Sequence, residues 1–236
     1  MDEVIMLLWQ YINSSRYTIA ITGAGISMSA GIMDFQHMDV PTVMKMSSSA
    51  FLKSCPNQYY KAAQKTFLNA MFTSGPTIAH KKLAEFEQQG LLQGIITTNI
   101  DCLHTLAGSK NVAEIQGSFG INKCIKCGKI YNDVLIWNKG KSPRCESCGG
   151  IIAPFPVYQH IGLSDSEVRK AQDWAKNAEL IIVIGAQGSY SGVYYPHIRN
   201  AKVIQINPKS TQFDEIALLN INEDADEVFA GIDLYL

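Results

Sequence analysis

Four of the six cysteines in this 236-residue chain form two closely spaced pairs. Cys124 and Cys127 make the first pair, and Cys145 and Cys148 make the second. Two such pairs at this separation are typical of a zinc ribbon, in which four thiolates surround one metal ion tetrahedrally. Because sulfur fills all four positions, none stays open for water, and we expect a structural zinc. A redox dithiol and a coincidence of spacing remain the alternatives.

A glycine-rich segment at residues 22–27 follows a short run of apolar, β-branched residues. Gly23 and Gly25 in this segment would let backbone amides approach a pyrophosphate, and the N-terminus of a following helix would favour its negative charge. The third glycine of the dinucleotide-binding fingerprint is missing, because Met28 stands at its position. Taken alone, the segment therefore indicates either a dinucleotide site or an ordinary tight turn.

Two polar residues, Asn99 and Asp101, follow another apolar run at residues 91–98. Open α/β sheets bind their ligands at the carboxyl ends of the strands, so both side chains are candidates for a ligand site. The alternative is that they only cap the next helix, since Asn and Asp are common helix caps.

The elements that would position these residues can be predicted from apolar periodicity and from unbroken apolar runs. Strands that do not alternate between apolar and polar residues suit a parallel sheet covered on both faces, which predicts an α/β fold. The predicted strands are residues 17–22, 91–98, 179–185 and 202–207. The predicted helices are residues 2–14, 38–74 (several helices), 76–90, 165–178 and 224–231.

The overall composition is that of a globular protein with no obvious charged partner. Hydrophobic residues make up 47%, charged residues 17%, and the formal net charge is −1. These values argue against disorder and against a nucleic-acid-binding surface. The N-terminal segment begins with acidic residues and its apolar run is broken by Gln10, which is atypical of a signal peptide or a membrane span. We therefore expect a cytoplasmic protein with no membrane partner.

Several motifs occur along the chain in a fixed order: Gly-Ala-Gly-Ile-Ser at 23–27, Gly-Ile-Met-Asp-Phe at 31–35, Thr-Asn-Ile-Asp at 98–101, Gln-Gly at 116–117, and the two cysteine pairs. Together they resemble the sirtuin family in both order and spacing. The resemblance extends over essentially the whole chain and implies a single domain with two lobes. The implied large lobe is Rossmann-like, the implied small lobe combines a helical insert with the zinc ribbon, and NAD would lie between them.

The resemblance also implies the extent of each lobe. The large lobe would comprise residues of about 1–37, 75–116 and 157–236. The small lobe would contain the helical insert, about 38–74, and the zinc ribbon, about 117–156.

Carried over from the family, a set of residues would bind NAD. Ala24 and Gly25 would face the pyrophosphate, and Asn99 and Asp101 would hold the ribose and the nicotinamide. Asp34 and Phe35 would border the nicotinamide. The full set of implied cofactor-binding residues is Gly23, Ala24, Gly25, Ser27, Asp34, Phe35, Gln36, Thr98, Gly185, Ser189, Asn207, Asp224 and Ala225.

The chain departs from the sirtuin deacylases at a decisive position. Gln116 stands where those enzymes have a histidine that serves as general base, and an amide cannot hold a proton near neutral pH. Gln36 likewise replaces the family arginine, and residues 157–162 differ from the usual peptide-binding segment. His104 and His160 are the other histidines to consider as bases, although His104 is better interpreted as a packing residue.

Around Gln116 the sequence is similar to the class M sirtuins of microbes. The shared motifs are Thr-Thr-Asn at 97–99, at the end of a predicted strand, and Ile-Gln-Gly at 115–117. That branch is associated with protein ADP-ribosylation. The resemblance implies an NAD-dependent protein ADP-ribosyltransferase with Asn99, Asp101 and Gln116 as catalytic residues and a protein acceptor, a lipoyl-carrier protein being one candidate. An NAD-dependent deacylase and a catalytically silent NAD-binding module are the alternative functions.

Overall fold

The computed structural model describes residues 2–32, 38–155, 163–198 and 201–234. Nine strands are found in these ranges, and they are arranged in two sheets. The strands are β1 (Thr18–Thr22), β2 (Gly94–Thr97), β3 (Val112–Glu114), β4 (Ser118–Cys124), β5 (Ile130–Tyr131), β6 (Ile152–Phe155), β7 (Leu180–Ile184), β8 (Lys202–Ile206) and β9 (Leu219–Ile221).

Helices precede, connect and cover these strands. The chain also forms a π-helical stretch, Gln64–Leu68, and 3₁₀ turns occur in several loops. The α-helices are α1 (Asp2–Ser14), α2 (Val40–Met46), α3 (Ser49–Ser54), α4 (Pro56–Ala63), α5 (Asn69–Thr73), α6 (Ile78–Gln88), α7 (Leu103–Ala107), α8 (Asp165–Asn177) and α9 (Ala225–Ile232).

The larger sheet is six-stranded and wholly parallel, in the order β3-β2-β1-β7-β8-β9. Every residue of β1 and β7 is buried, because helices cover both faces of the sheet. Ala20 of β1 packs toward α1, α6 and α9, while its neighbours Ile19 and Ile21 pack toward α8. The predicted α/β fold with a parallel sheet is therefore confirmed.

The smaller sheet is antiparallel, in the order β5-β4-β6, and it shares a hydrophobic core with the helices α2 to α5. Phe119 at the start of β4 contacts the ring of Phe67 edge-on, with centroids 4.7 Å apart, and that of Trp137 at 4.9 Å. The Tyr60 hydroxyl donates to the Trp137 carbonyl at 3.0 Å. This common core joins the helical insert to the cysteine-bearing sheet.

Some elements differ from their predictions. The short strands β3 and β9 were not predicted, because three residues give too little pattern. A 3₁₀ helix, Ala24–Ala30, begins within the glycine-rich segment, where a regular helix was expected to follow that segment. Within the described ranges, no helix combines the length and apolar character needed to cross a membrane.

Candidate functional site

A cavity of about 620 Å³ opens where the strands β1, β2, β7 and β8 end. This is the edge at which parallel sheets present their ligand sites. All three predicted catalytic residues and most of the predicted cofactor-binding residues meet there. The predicted residues that line the cavity are Gly23, Ala24, Gly25, Thr98, Asn99, Asp101, Gln116, Gly185, Ser189, Asn207, Asp224 and Ala225.

The glycine-rich loop lies directly against the loop that follows β7. The Gly25 amide donates to the Gly185 carbonyl at 2.9 Å, and the Gly23 amide donates to Ile184 at 3.1 Å. A Cβ atom on Gly25 would lie 2.5 Å from the Gly185 Cα, so any side chain there would displace backbone. The packing of these two loops therefore requires glycine here, independently of any ligand. The Ala24 amide between them has no hydrogen-bond partner among the described residues, which leaves it available to a ligand phosphate.

A buried hydrogen-bond network connects this loop to the end of β2. Asn99 Nδ2 donates to the Gly23 carbonyl at 3.1 Å and lies 3.2 Å from Ser27 Oγ. Ser27 Oγ in turn donates to Asp101 Oδ2 at 2.8 Å. Ser27 is fully buried and does not line the cavity, and its hydroxyl connects Asn99 to Asp101. Its predicted contact with NAD stays a prediction.

Asp101 lies where both of its predicted roles are possible. Its Oδ1 accepts the Leu103 amide at 2.9 Å, which caps the start of α7, and it also lines the cavity. Burial raises the pKa of this carboxyl, while the Leu103 and Ser27 hydrogen bonds oppose that shift. The cap interpretation and the site interpretation are thus compatible for Asp101.

Gln116 lies on a turn between β3 and β4 and is partly exposed to the cavity. Gly117 closes this turn, with a φ of +72° and an amide that donates to the Glu114 carbonyl at 2.8 Å. The cavity lining contains no histidine among the described residues. His104 is buried behind the cavity wall, where its Nε2 lies 2.8 Å from Oγ1 of the lining residue Thr22, and burial keeps its pKa well below the ordinary value. His104 is therefore a packing residue.

The four paired cysteines converge as the spacing predicted. Their sulfur atoms all lie within 4.8 Å of one another, with 3.5 Å between Cys124 and Cys148 and 3.6 Å between Cys127 and Cys145. Sulfur atoms 2.3 Å from a tetrahedral zinc ion are about 3.8 Å apart, so the cluster fits this metal. Tyr131 donates its hydroxyl to Cys145 Sγ at 3.1 Å, a bond that orients this sulfur.

Comparison with known proteins identifies the family to which this arrangement belongs. The family model of the Sir2 family matches residues 23–191. The chain belongs to the Sir2 family. This sirtuin is 32% identical to the NAD-dependent protein deacetylase of Clostridium perfringens, with 98% of the chain and 99% of that protein covered. It is 34% identical to the corresponding deacetylase of Thermotoga maritima, with 96% and 94% covered.

Solved structures agree with this assignment over the whole fold. A complex of Sir2 with a p53 peptide and NAD⁺ superposes with a TM-score of 0.79, at 32% identity and with 98% of both chains covered. A sirtuin studied for substrate affinity gives a TM-score of 0.82 at 29% identity, with 97% and 98% covered. The predicted sirtuin family is thus confirmed. NAD is bound in a solved sirtuin of this fold, and the four-cysteine cluster is consistent with the predicted structural zinc. These comparisons do not support the ADP-ribosylating branch, so that resemblance stays a prediction.

Several predicted site residues lie outside the described residues. They are Asp34, Phe35 and Gln36, as well as the loop that contains His160. Their expected places at the nicotinamide pocket and the peptide segment therefore stay predictions.

Part of the cavity wall was not predicted from the sequence. Apolar side chains from the helical insert, including Met46, Tyr59 and Phe67, form one side of it. Their apolar character alone does not distinguish them from core residues. Lys209 also lines the cavity, just beyond the carboxyl end of β8. Residues at this end of a parallel strand are candidates for a ligand site, so Lys209 could have been predicted from its position.

Binding of NAD to this sirtuin should raise its melting temperature. A ligand that binds only the folded state stabilises it by about 2.7 kcal/mol at 100 times its Kd. Ala24→Leu places a larger side chain against the cavity and should remove most of this shift, as differential scanning fluorimetry can measure. The matched control is Ala50→Leu on α3, where the side chain is exposed. Equal shifts in both variants would contradict this location of the cofactor.

Proposed function

We propose that this sirtuin transfers the ADP-ribosyl group of NAD to a protein acceptor and releases nicotinamide. The observation that carries the proposal is the presence of the Gln116 amide in the cavity, with no histidine among the described lining residues. The glutamine carbonyl can accept a hydrogen bond, but it cannot store a proton near neutral pH. A reaction that needs a general base at this position is therefore disfavoured.

Transfer of ADP-ribose places smaller demands on acid–base chemistry. NAD supplies a glycosidic bond whose cleavage is oxocarbenium-like, and such cleavage depends on orientation, exclusion of water and electrostatic support. The Asn99 carbonyl oxygen, the Asp101 carboxyl and the Gln116 amide all lie at the cavity and can provide this support. The acceptor protein would contribute the nucleophile.

Deacylation is the second candidate, and the relatives support it more directly. Both curated relatives described above are named protein deacetylases and align over almost their full length. The solved Sir2 complex contains a peptide together with NAD⁺. If this sirtuin deacylates proteins, another group must replace the imidazole or the second half of the reaction must be slow.

The two candidates differ in their acceptors and in the effect of position 116. With NAD present, we expect little deacetylation of acetyl-lysine peptides and transfer of labelled ADP-ribose to a protein acceptor from the source organism. Gln116→Ala should weaken transfer strongly, since it removes a polar contact at the reacting centre. Gln116→His should raise deacetylation above the wild-type level, because it supplies a titratable imidazole.

Three measurements separate the outcomes of this experiment. Nicotinamide release by the wild type, measured by chromatography, tests whether the cavity is active at all. Rapid deacetylation by the wild type that is unchanged in Gln116→Ala would reject the transferase proposal in favour of deacylation. Binding of NAD without release of nicotinamide under any condition would instead indicate a silent NAD-binding module.

A further inference from the structure

A second carboxyl group lies behind the cavity, two residues before Gln116. Glu114 is the last residue of β3, and most of its side chain is buried. Its Oε2 accepts the Ser118 hydroxyl at 2.5 Å. Glu114 does not line the cavity, so any effect that it has on a reaction must act through its neighbours.

Two hydrogen bonds join Glu114, before Gln116, to the residues that follow Gln116, and so close the turn around it. Its carbonyl accepts the Gly117 amide at 2.8 Å, and its carboxylate accepts the Ser118 hydroxyl. Ser118 Oγ also accepts the Gly120 amide at 3.1 Å, which fixes the hydroxyl in place. Gln116 lies between these anchor points, while its own side chain has no hydrogen-bond partner among the described residues.

Charged and titratable groups from two neighbouring elements face the Glu114 carboxyl. Asp101 and Cys102 approach from the segment that leads into α7, and Glu167 and Lys170 approach from α8. Lys170 also donates to the Val112 carbonyl at 2.7 Å, which holds α8 against β3. Burial, together with Asp101 and Glu167, raises the pKa of Glu114 to about 7, against the opposing effects of Ser118 and Lys170.

Protonation would change what this carboxyl can do. The ionised form accepts the Ser118 hydroxyl in a charge-assisted hydrogen bond, which is the stronger kind. The protonated form keeps an oxygen that can accept this hydrogen bond, but the bond is then no longer charge-assisted. The turn is therefore held more weakly when Glu114 is neutral.

We propose that Glu114 is the positioning residue that holds Gln116 in the cavity, and that loss of its negative charge makes the reaction slow at acidic pH. The inference rests on the proposed function, because it assumes that Gln116 acts at the reaction site. Glu114, in place of the missing imidazole, would be the origin of the pH dependence. It would act without contacting the substrate.

Kinetics of nicotinamide release between pH 5.5 and 9 test the proposal. In the wild type, kcat should fall as the pH drops below about 7, because the protonated fraction of Glu114 grows. Glu114→Gln should lose this pH dependence and be slower by roughly 10-fold at pH 8, with an unchanged KM for NAD. Glu167→Gln is the matched control; it should keep the acidic limb and move it to lower pH, since it removes a like charge.

A second measurement does not depend on activity. In ¹⁵N-labelled protein, the side-chain amide signal of Gln116, assigned by its absence in Gln116→Ala, should shift with a midpoint near pH 7. The shift should vanish in Glu114→Gln. Glu114→Asp, which keeps a carboxyl but shortens it, should retain a titration and serves if the Gln variant does not fold.

The results distinguish failure of this inference from failure of the proposed function. A titrating Gln116 signal in an enzyme that releases no nicotinamide would support the coupling of Glu114 to Gln116 and reject the function. An acidic limb or a Gln116 titration that persists in Glu114→Gln would overturn the inference. Loss of both in Glu114→Gln, with Glu167→Gln behaving as expected, would establish it.

Discussion

Replacing Asn99 by Ala should slow nicotinamide release from NAD by at least about 100-fold, the scale seen when one preorganised hydrogen-bonding group is removed from an active site. Asn99 Nδ2 bonds the Gly23 carbonyl and lies beside Ser27, and these contacts fix the side chain. Its Oδ1 is left to act on a ligand. The Ala variant loses both the contact to the ligand and the link to the glycine-rich loop.

Two further variants separate these two losses. Asn99→Asp keeps an oxygen at the cavity but loses the Nδ2 donor and places a carboxylate near the buried Asp101, so it should be as slow as Asn99→Ala. Ser27→Ala removes only the supporting hydroxyl and should cost less than either. Asn138→Ala, an exposed position in the cysteine-bearing region, is the control. Near wild-type turnover in Asn99→Ala, measured by single-turnover kinetics, would show that Asn99 is not part of the reaction site.

The main elements of this fold could be predicted because their signals are local. The apolar runs of β1, β7 and β8 gave the parallel sheet, and the spacing of Cys124 and its partners gave the metal cluster. Such signals need no knowledge of the rest of the chain. In contrast, β3 and β9 contain three residues each and exist only because a neighbouring strand pairs with them.

Many of the residues that line the cavity could be predicted from the sequence, but the contacts among them could not. The position of Asn99 after β2 placed it at the correct edge of the sheet, and the family resemblance added the residues that follow β7 and β8. What the sequence could not indicate is how these residues share their hydrogen bonds. Ser27, for example, is buried, and its hydroxyl connects Asn99 to Asp101. That arrangement depends on contacts between segments more than 70 residues apart, which no local pattern records.

Gly25 illustrates the same limit. The glycine was predicted from the need for a close approach of backbone to a pyrophosphate, a reason that applies to any dinucleotide-binding loop. In the structure, the Gly25 Cα faces the Gly185 backbone, and a Cβ would collide with it whether or not a ligand is bound. Substitution of Gly25 would therefore disturb the folded protein itself, which makes Ala24 the better position at which to test binding.

Removal of the zinc ion should produce the largest loss of stability in this protein. Structural zinc sites of this kind contribute about 10–16 kcal/mol of metal-binding free energy in small peptides, and much of that is folding free energy. Cys145→Ser should lower the melting temperature by at least about 10 °C, because each 1 kcal/mol corresponds to roughly 2–4 °C in a chain of this size. Cys55→Ser, outside the cluster, should have a small effect and is the control.

The consequences of zinc loss should reach the cavity through β4. This strand ends at Cys124 in the cluster and begins near Phe119, which lines the cavity and packs on Trp137 and Phe67. When the cluster end of β4 is released, its other end loses its support. We therefore expect nicotinamide release to decline in parallel with the unfolding of the cysteine-bearing sheet when a chelator is added, and to return with added zinc. Elemental analysis that finds no zinc in natively purified protein, or a chelated protein of unchanged melting temperature, would contradict this role of the metal.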